Sequence, residues 1–440
     1  MKAMTMAELG QAAAVQGKCI IGFDGHVYDI SNWLDHHPGG ALAILHVNGK
    51  DATDHIRAFH PEHVWEVQMK KFLLCQLVLS PAEMAESTEH RKLSKSFNEL
   101  KQRITDAGLF ETSHSFYQLL LLRYVIHFVV AISLCLCLPK PLNAVLGGAA
   151  VASFWQQIAF FSHDAGHSCI TKNRFFDSLL GTVLATLFGG LSLGWWKHSH
   201  NVHHIVTNHP EHDPDIQHMP VFAINKSFCN NLFSSYKGEV MDFGAAARWF
   251  VSIQHYTYFS ICALGRFNLY VLSYAFLAKD YARMQHASVE MAGLLGFWAW
   301  YSALTCSMGS PLLGAVFLLT SHILSSILHL QINVSHFGMS TEDLDCDEHF
   351  AAKALRTTMD VDCPQWLDWF HGGLQFQVIH HLFPRMPRHN LRHCVSFVRD
   401  FCAENELQYH AHGFVKGNGM VLDNLRDVAR HVQFLLSTME

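Results

Sequence analysis

The sequence predicts a small α+β domain fused to an all-α integral membrane domain with about four transmembrane helices plus cytosolic and interfacial helices. Three observations carry this. Residues 1–80 contain short alternating stretches punctuated by turn residues. Apolar stretches of bilayer-crossing length begin after residue 115. Beside them sit three histidine clusters, HDAGH at 163–167, HNVHH at 200–204 and QVIHH at 377–381.

Half of the 440 residues are hydrophobic and the mean hydropathy is +0.12, high for a soluble chain. The 33 histidines outnumber the 31 lysines and arginines together. Neutral nitrogen ligands in such numbers point to bound metal. A net charge of −6 without a concentrated basic face argues against a nucleic-acid partner. The 12 cysteines are scattered, Cys135 and Cys137 lie inside an apolar run, and no C-x-x-C occurs, so reduced thiols are expected rather than disulfides or a zinc site. The first 20 residues lack a signal-peptide pattern, so the N-terminus is expected to stay in the cytosol.

In residues 1–80, Cys19–Phe23 reads as a strand, Asp24-Gly25 as a hairpin turn and His26–Ile30 as a second strand. Short helices follow between Ser31 and Leu74. A porphyrin held by two imidazoles needs one on each face and tight turns to wrap its edge. His37-Pro38-Gly39-Gly40 supplies one such site, and His60 is the best second candidate; His36, His55 and His63 read as surface residues. Val27-Tyr28-Asp29-Ile30-Ser31-Asn32-Trp33, then HPGG, then Asp51-Ala52-Thr53, resembles the cytochrome b5 family. The resemblance implies His37 and His60 as the axial pair of a bis-histidine haem b. With no open iron position, such a haem passes electrons rather than binding oxygen. Ile56 stands where the family commonly has an aromatic, and it is still expected to pack on the haem.

Residues 81–115 are polar, with Pro81 and a run of Glu, Lys and Arg. They read as a linker, helical from about Lys92 to Ala107, ahead of a membrane domain over 116–440. Six apolar segments follow, at about 119–138, 142–161, 179–196, 251–277, 290–309 and 311–330. The first two clusters flank 179–196 and must face one side to share a site, so this segment is expected to be re-entrant or interfacial, with Trp195 and Trp196 at headgroup level. Between the second and third clusters the same parity leaves two spans. Gln254, His255, Arg266 and Asn268 demote 251–277. Four spans then form two hairpins, turning at Pro139-Lys140-Pro141 and Gly309-Ser310-Pro311. The intervening loop carries Lys172, Arg174, Lys197, Lys226, Lys237, Arg248, Lys279 and Arg283, whereas the turns carry only Lys140, which puts the clusters and both termini in the cytosol.

His163 and His167 are four apart, and His200, His203 and His204 stand at i, i+3 and i+4, spacings that share one helix face. Gln377, His380 and His381 repeat the second frame with glutamine leading. A carboxylate di-iron site is disfavoured because the sole Glu-x-x-His, Glu111 to His114, lies outside the core. Ligand type alone leaves iron, zinc and copper open. H-x-x-x-H, H-x-x-H-H and Q-x-x-H-H behind a cytochrome b5-like segment resemble the front-end membrane desaturases over nearly the whole chain. That resemblance implies two iron ions held by His163, His167, His200, His203, His204, His380 and His381. It adds His336 as a further ligand, from the end of the last span, and leaves Gln377 to coordinate, to hydrogen-bond a ligand or to shape the site. His198, His209, His212 and His218 read as solvated, capping or supporting residues, and His322 and His329 as span residues bonded to a neighbour. Asp164 could orient an imidazole.

The resemblance implies O2-dependent insertion of a double bond into a lipid chain in the endoplasmic reticulum membrane. Electrons would come from NADH through a separate cytochrome b5 reductase, because no G-x-G-x-x-G follows a strand. FWQQIAFFSHDAGH, HDPDIQHMPVFAI and DVDCPQWLDWFHGGLQFQVIHHLFPR look most like fungal-type sphingolipid Δ8 desaturases, acting on the long-chain base of ceramide. A Δ6 or Δ5 acyl desaturase and a membrane lipid hydroxylase are the alternatives. A non-enzymatic haem carrier would not need the three clusters. Arg385, Arg388 and Arg392 could meet lipid headgroups or form a solvated basic face.

Overall fold

The computed structural model describes residues 3–342 and 348–438. Its N-terminal part is a four-stranded sheet of β1 (Ala3–Met4), β2 (Ile20–Phe23), β3 (His26–Asp29) and β4 (Leu73–Leu77), in the order β1-β4-β3-β2. β2 and β3 pair antiparallel across Asp24-Gly25, with φ of 49° and 71°. Left-handed backbone at both central positions gives the two-residue turn whose twist matches the strands. Helices α1 (Ala41–Leu45) and α2 (Thr53–Phe59) close a core with Ile21, Phe23, Tyr28, Ile44 and Ile56. α1 starts directly after HPGG, and α2 ends at His60.

The stretch read as a linker contains a packed helix, α3 (Thr88–Asp106). Its Phe97, Leu100 and Ile104 share one face and are fully buried with Ala58, Phe383, Val398 and Phe401. Phe97 stacks on Phe383 at 5.4 Å. A polar average concealed this narrow apolar stripe.

Helices α4 (His114–Cys137) and α5 (Leu142–Gly166) form the first hairpin. Gly147 lets them touch, since a side chain there would meet the Cys135 backbone at 3.1 Å. After α5 come α6 (Arg174–Val183) and α7 (Leu193–Ile205), whose combined apolar run is bent by 116°. Helix α8 (Gln254–Asp280) precedes the second hairpin, α9 (Ala287–Cys306) with α10 (Pro311–Ser325), which α11 (Ile327–Asn333) extends. The two hairpin turns are neighbours, with the Lys140 side chain lying against Gly309. Both hairpins therefore point the same way.

Among the described residues, four helices are long and apolar enough to cross a membrane: His114–Cys137, Leu142–Gly166, Gln254–Arg283 and Pro311–Asn333. This set departs from the sequence reading by including the demoted segment and omitting 290–309. Gln254 and Arg266, two of the polar residues behind the demotion, do not interrupt α8 because they are buried with partners, while His255 is half-buried and Asn268 is exposed. Gln254 donates to Ala223 O and Leu425 O, and Arg266 donates to Tyr270 Oη and Gly189 O while stacking 3.8 Å over Trp155. Both ends of α8 nonetheless lie at histidine level. Tyr258 packs with Phe222 in the cluster that holds Phe337, next to His336, and Phe276 contacts His198. Composition qualifies α8 as a span; its course runs from one flank of the site to the other.

Candidate metal centre and its cavity

The first cluster sits at the C-terminal end of α5, the second in the last turns of α7, and the third in α12 (Gln377–Leu382). His336 follows α11. The ligand atoms of His163, His167, His200 and His380 all lie within 4.8 Å of one another, and those of His203, His336 and His381 do the same. His204 belongs to neither group. Its ring stands between them, 4.4 Å from His381 and 4.5 Å from His200. All eight predicted histidines thus converge, so the chain makes no net crossing between the first and second clusters, nor between the second and third. Gln377 is buried in the cavity wall that also holds His380.

The donor set fits metal ions. Nε2 of His167, His380 and His381 and Nδ1 of His204 and His336 are shielded from solvent and have no hydrogen-bond partner. Each such orphan would cost about 1–3 kcal/mol if nothing occupied it. Burial, reinforced by the neighbouring imidazoles, holds these five rings well below the usual histidine range, so they present neutral nitrogens.

Neighbouring groups fix the ring orientations. Thr207 Oγ1 donates to His203 O at 2.7 Å, so at its 3.2 Å contact with His381 the imidazole Nδ1–H donates and Nε2 is left free. His203 Nδ1 donates to the Asp213 carboxylate at 2.9 and 3.0 Å. Burial alone would depress this ring, but Asp213 and Asp215 outweigh it and push His203 up to about 9. Sequence reasoning treated HDPD as a solvated stretch and missed Asp213. Its signal was an acidic residue ten positions after a ligand candidate, too far for any helical spacing. Asp213→Ala is expected to weaken metal retention about 10–100-fold, measured as iron per chain after dialysis against a chelator.

Asp164 lies 3.7 Å from His163 Nδ1, and its other oxygen accepts from Tyr117 Oη at 2.7 Å and Arg388 Nε at 2.5 Å. Arg388 is therefore interior and meets no headgroup, and Arg392 is taken up by Asp368 and Cys363 O. Arg388 is drawn inward by a buried carboxylate that sequence distance hides, while the Arg392–Asp368 pair is half-exposed. Arg388→Leu leaves Asp164 uncompensated and is expected to cost about 3–5 kcal/mol, read as a lowered Tm in detergent. Several of the other histidines meet local partners. His198 contacts Tyr236 Oη at 3.2 Å, His212 contacts Ser235 Oγ at 2.9 Å, His218 contacts Asp215 O at 2.8 Å and His322 contacts Leu318 O at 2.8 Å. His329 departs: both its ring nitrogens are shielded without a hydrogen-bond partner.

In the N-terminal part the His37 and His60 rings face each other with centroids 6.0 Å apart. Two imidazoles each about 2 Å from one central ion would have roughly that separation. His37 Nδ1 donates to Gly40 O at 3.0 Å and His60 Nδ1 to Ile56 O at 3.2 Å, which leaves both Nε2 atoms free. His36, His55 and His63 do not join them.

A cavity of about 740 Å³ runs past His163, His167 and His380, walled mainly by apolar side chains such as Trp155, Ile158, Leu191 and Leu269. Its size and lining suit a hydrocarbon chain.

The sequence profile described as Fatty acid desaturase matches residues 139–413, which include every histidine of the centre. The chain belongs to the fatty acid desaturase family. The profile described as Cytochrome b5-like Heme/Steroid binding domain matches residues 5–80, so a haem-binding domain precedes the desaturase domain. Similar proteins include a Delta 8-(E)-sphingolipid desaturase of Emericella nidulans, 37% identical over 97% of this chain and 94% of that protein. One of the same name from Komagataella phaffii is 37% identical over 96% and 92%. A Delta(8)-fatty-acid desaturase of Borago officinalis is 32% identical over 94% and 91%. This desaturase is an oxidoreductase acting on lipid.

Proposed function

We propose that this desaturase introduces a trans double bond at C8 of the sphingoid long-chain base of ceramide. The observation that carries the reading is the pair of imidazole groups beside an apolar cavity, in a chain aligned almost end to end with proteins named Delta 8-(E)-sphingolipid desaturase. Two iron ions would be held by His163, His167, His200 and His380 and by His203, His336 and His381, with His204 between the groups. Iron so held supplies the oxygen activation that an unactivated C–H bond requires. Overall, two hydrogens leave adjacent carbons and O2 is reduced to two waters, taking two electrons from the lipid and two from outside.

The residues of the chain do the rest. Asp213 and Thr207 hold protons on the Nδ1 atoms of His203 and His381, which keeps their Nε2 lone pairs directed inward. Trp196 stacks on His200 at 4.4 Å and limits its rotation. The apolar wall excludes water and fixes which carbons reach the histidines, so the position of the double bond follows from placement. Gln377 shapes the wall beside His380. His37 and His60 would hold haem b between their Nε2 atoms, and the outside electrons would arrive through it from NADH and a separate cytochrome b5 reductase. The basic loop between the hairpins supports a cytosolic face in the endoplasmic reticulum membrane.

Expression in a yeast lacking Δ8-unsaturated bases, with profiling of sphingoid bases and fatty acids, tests this. A new Δ8 base supports the reading, and only new unsaturated fatty acids would replace it with the acyl reading that the Borago officinalis relatives favour. A hydroxylated product would reject both.

A further inference from the structure

The haem-binding domain rests on the desaturase domain through the same loops that carry its two histidines. Gly39 O accepts from Asn201 Nδ2 at 3.1 Å, and Asn201 is the residue after His200. Phe59, the residue before His60, meets the His204 ring edge-on at 5.8 Å. Each candidate axial histidine is thus joined to the second cluster by one short bridge. One runs His37-Pro38-Gly39 to Asn201-His200, and the other runs His60-Phe59 to His204. Further contacts hold the domain down. Ser94 Oγ donates to Asp54 at 2.5 Å, His349 Nε2 lies 2.9 Å from Asp54, and Phe350 packs on Phe59 at 5.9 Å. Gly40 faces His198 closely enough that even a Cβ would touch it at 3.8 Å.

We propose that Asn201 and Phe59 are positioning residues for electron delivery, seating both haem-ligand loops on the second-cluster helix so that electrons pass within one chain. The inference rests on the function proposed above. With haem held by His37 and His60 and iron by the histidine groups, each delivery would oxidise the haem by one electron and reduce the metal centre by one, so two would serve one double bond. A hydrogen bond and a ring contact conduct better than a solvent gap, and a small displacement at such a junction is costly.

The test uses the purified full-length holoenzyme as wild type, Asn201→Ala and Phe59→Leu, with haem absorption and iron per chain measured and all rates taken per iron-loaded centre. Reduction of the haem by NADH and cytochrome b5 reductase should match wild type. Reoxidation of the reduced haem, on mixing with oxygen and ceramide, should slow roughly 10- to 100-fold in each variant. Enzyme reduced chemically beforehand at both centres should form product in one turnover at the wild-type rate, which a merely structural defect would not allow. Reoxidation at the wild-type rate, or an equal loss in the pre-reduced turnover, would overturn the assignment. Absence of ceramide-dependent reoxidation in wild type itself would instead reject the proposed function.

Discussion

Replacing His203 with alanine is expected to abolish desaturation while the haem spectrum persists. His203 is one of only three imidazoles in its group, with His336 and His381, and all three are buried. Removing it takes away a third of that donor set and leaves the buried Asp213 carboxylate with only the backbone N–H groups of Asn208 and Asp215 as donors. Since loss of a residue that merely orients a ligand costs about 10–100-fold, loss of the ligand itself should cost more. Non-haem iron per chain should fall by at least half in elemental analysis, and Δ8 products should vanish from the lipid profile. His37 and His60 do not touch His203, so the haem absorption bands serve as the folding control. A variant retaining full non-haem iron and wild-type product would remove His203 from the centre.

The second large effect is expected from His37→Ala. Here the haem bands disappear, non-haem iron stays at the wild-type level, and NADH-driven desaturation falls to background. The facing pair leaves no substitute for His37, because its neighbour His36 is not turned toward His60. Gly39 lies tight on the His37 ring, where a Cβ would come within 2.8 Å of Cε1, so the loop is shaped around that ring. Product formed by the variant after chemical reduction would show that only electron supply was lost. Retained haem absorption would exclude His37 as an axial ligand.

Much of this site was legible in the sequence because helical spacing is a local property. Imidazoles at i, i+3 and i+4 share a face wherever the helix lies, and parity then required the three clusters to meet on one side. The Asp24-Gly25 hairpin was legible for the same reason, since two residues able to adopt left-handed backbone specify the turn. What escaped were pairings between residues distant in sequence. Asp164 and Arg388 are separated by 224 positions, and no local pattern announces that one neutralises the other. From the sequence Arg388 therefore reads as a headgroup contact or as part of a solvated basic face. α8 was discounted because Gln254 and Arg266 look misplaced in an apolar stretch, although a buried polar group is tolerated once partnered. α3 was underrated because three apolar residues among many charged ones barely move an average, yet one stripe per helix is all that packing requires.

That helix has a consequence for how the enzyme is supplied. With Phe97, Leu100 and Ile104 wedged between the two domains, the redox module is not a tethered ball searching a volume but a docked cartridge. Its local concentration at the acceptor is set by geometry and not by linker length. Transfer from this haem domain to the metal centre would accordingly not depend on dilution in the bilayer, although supply from a separate reductase still would.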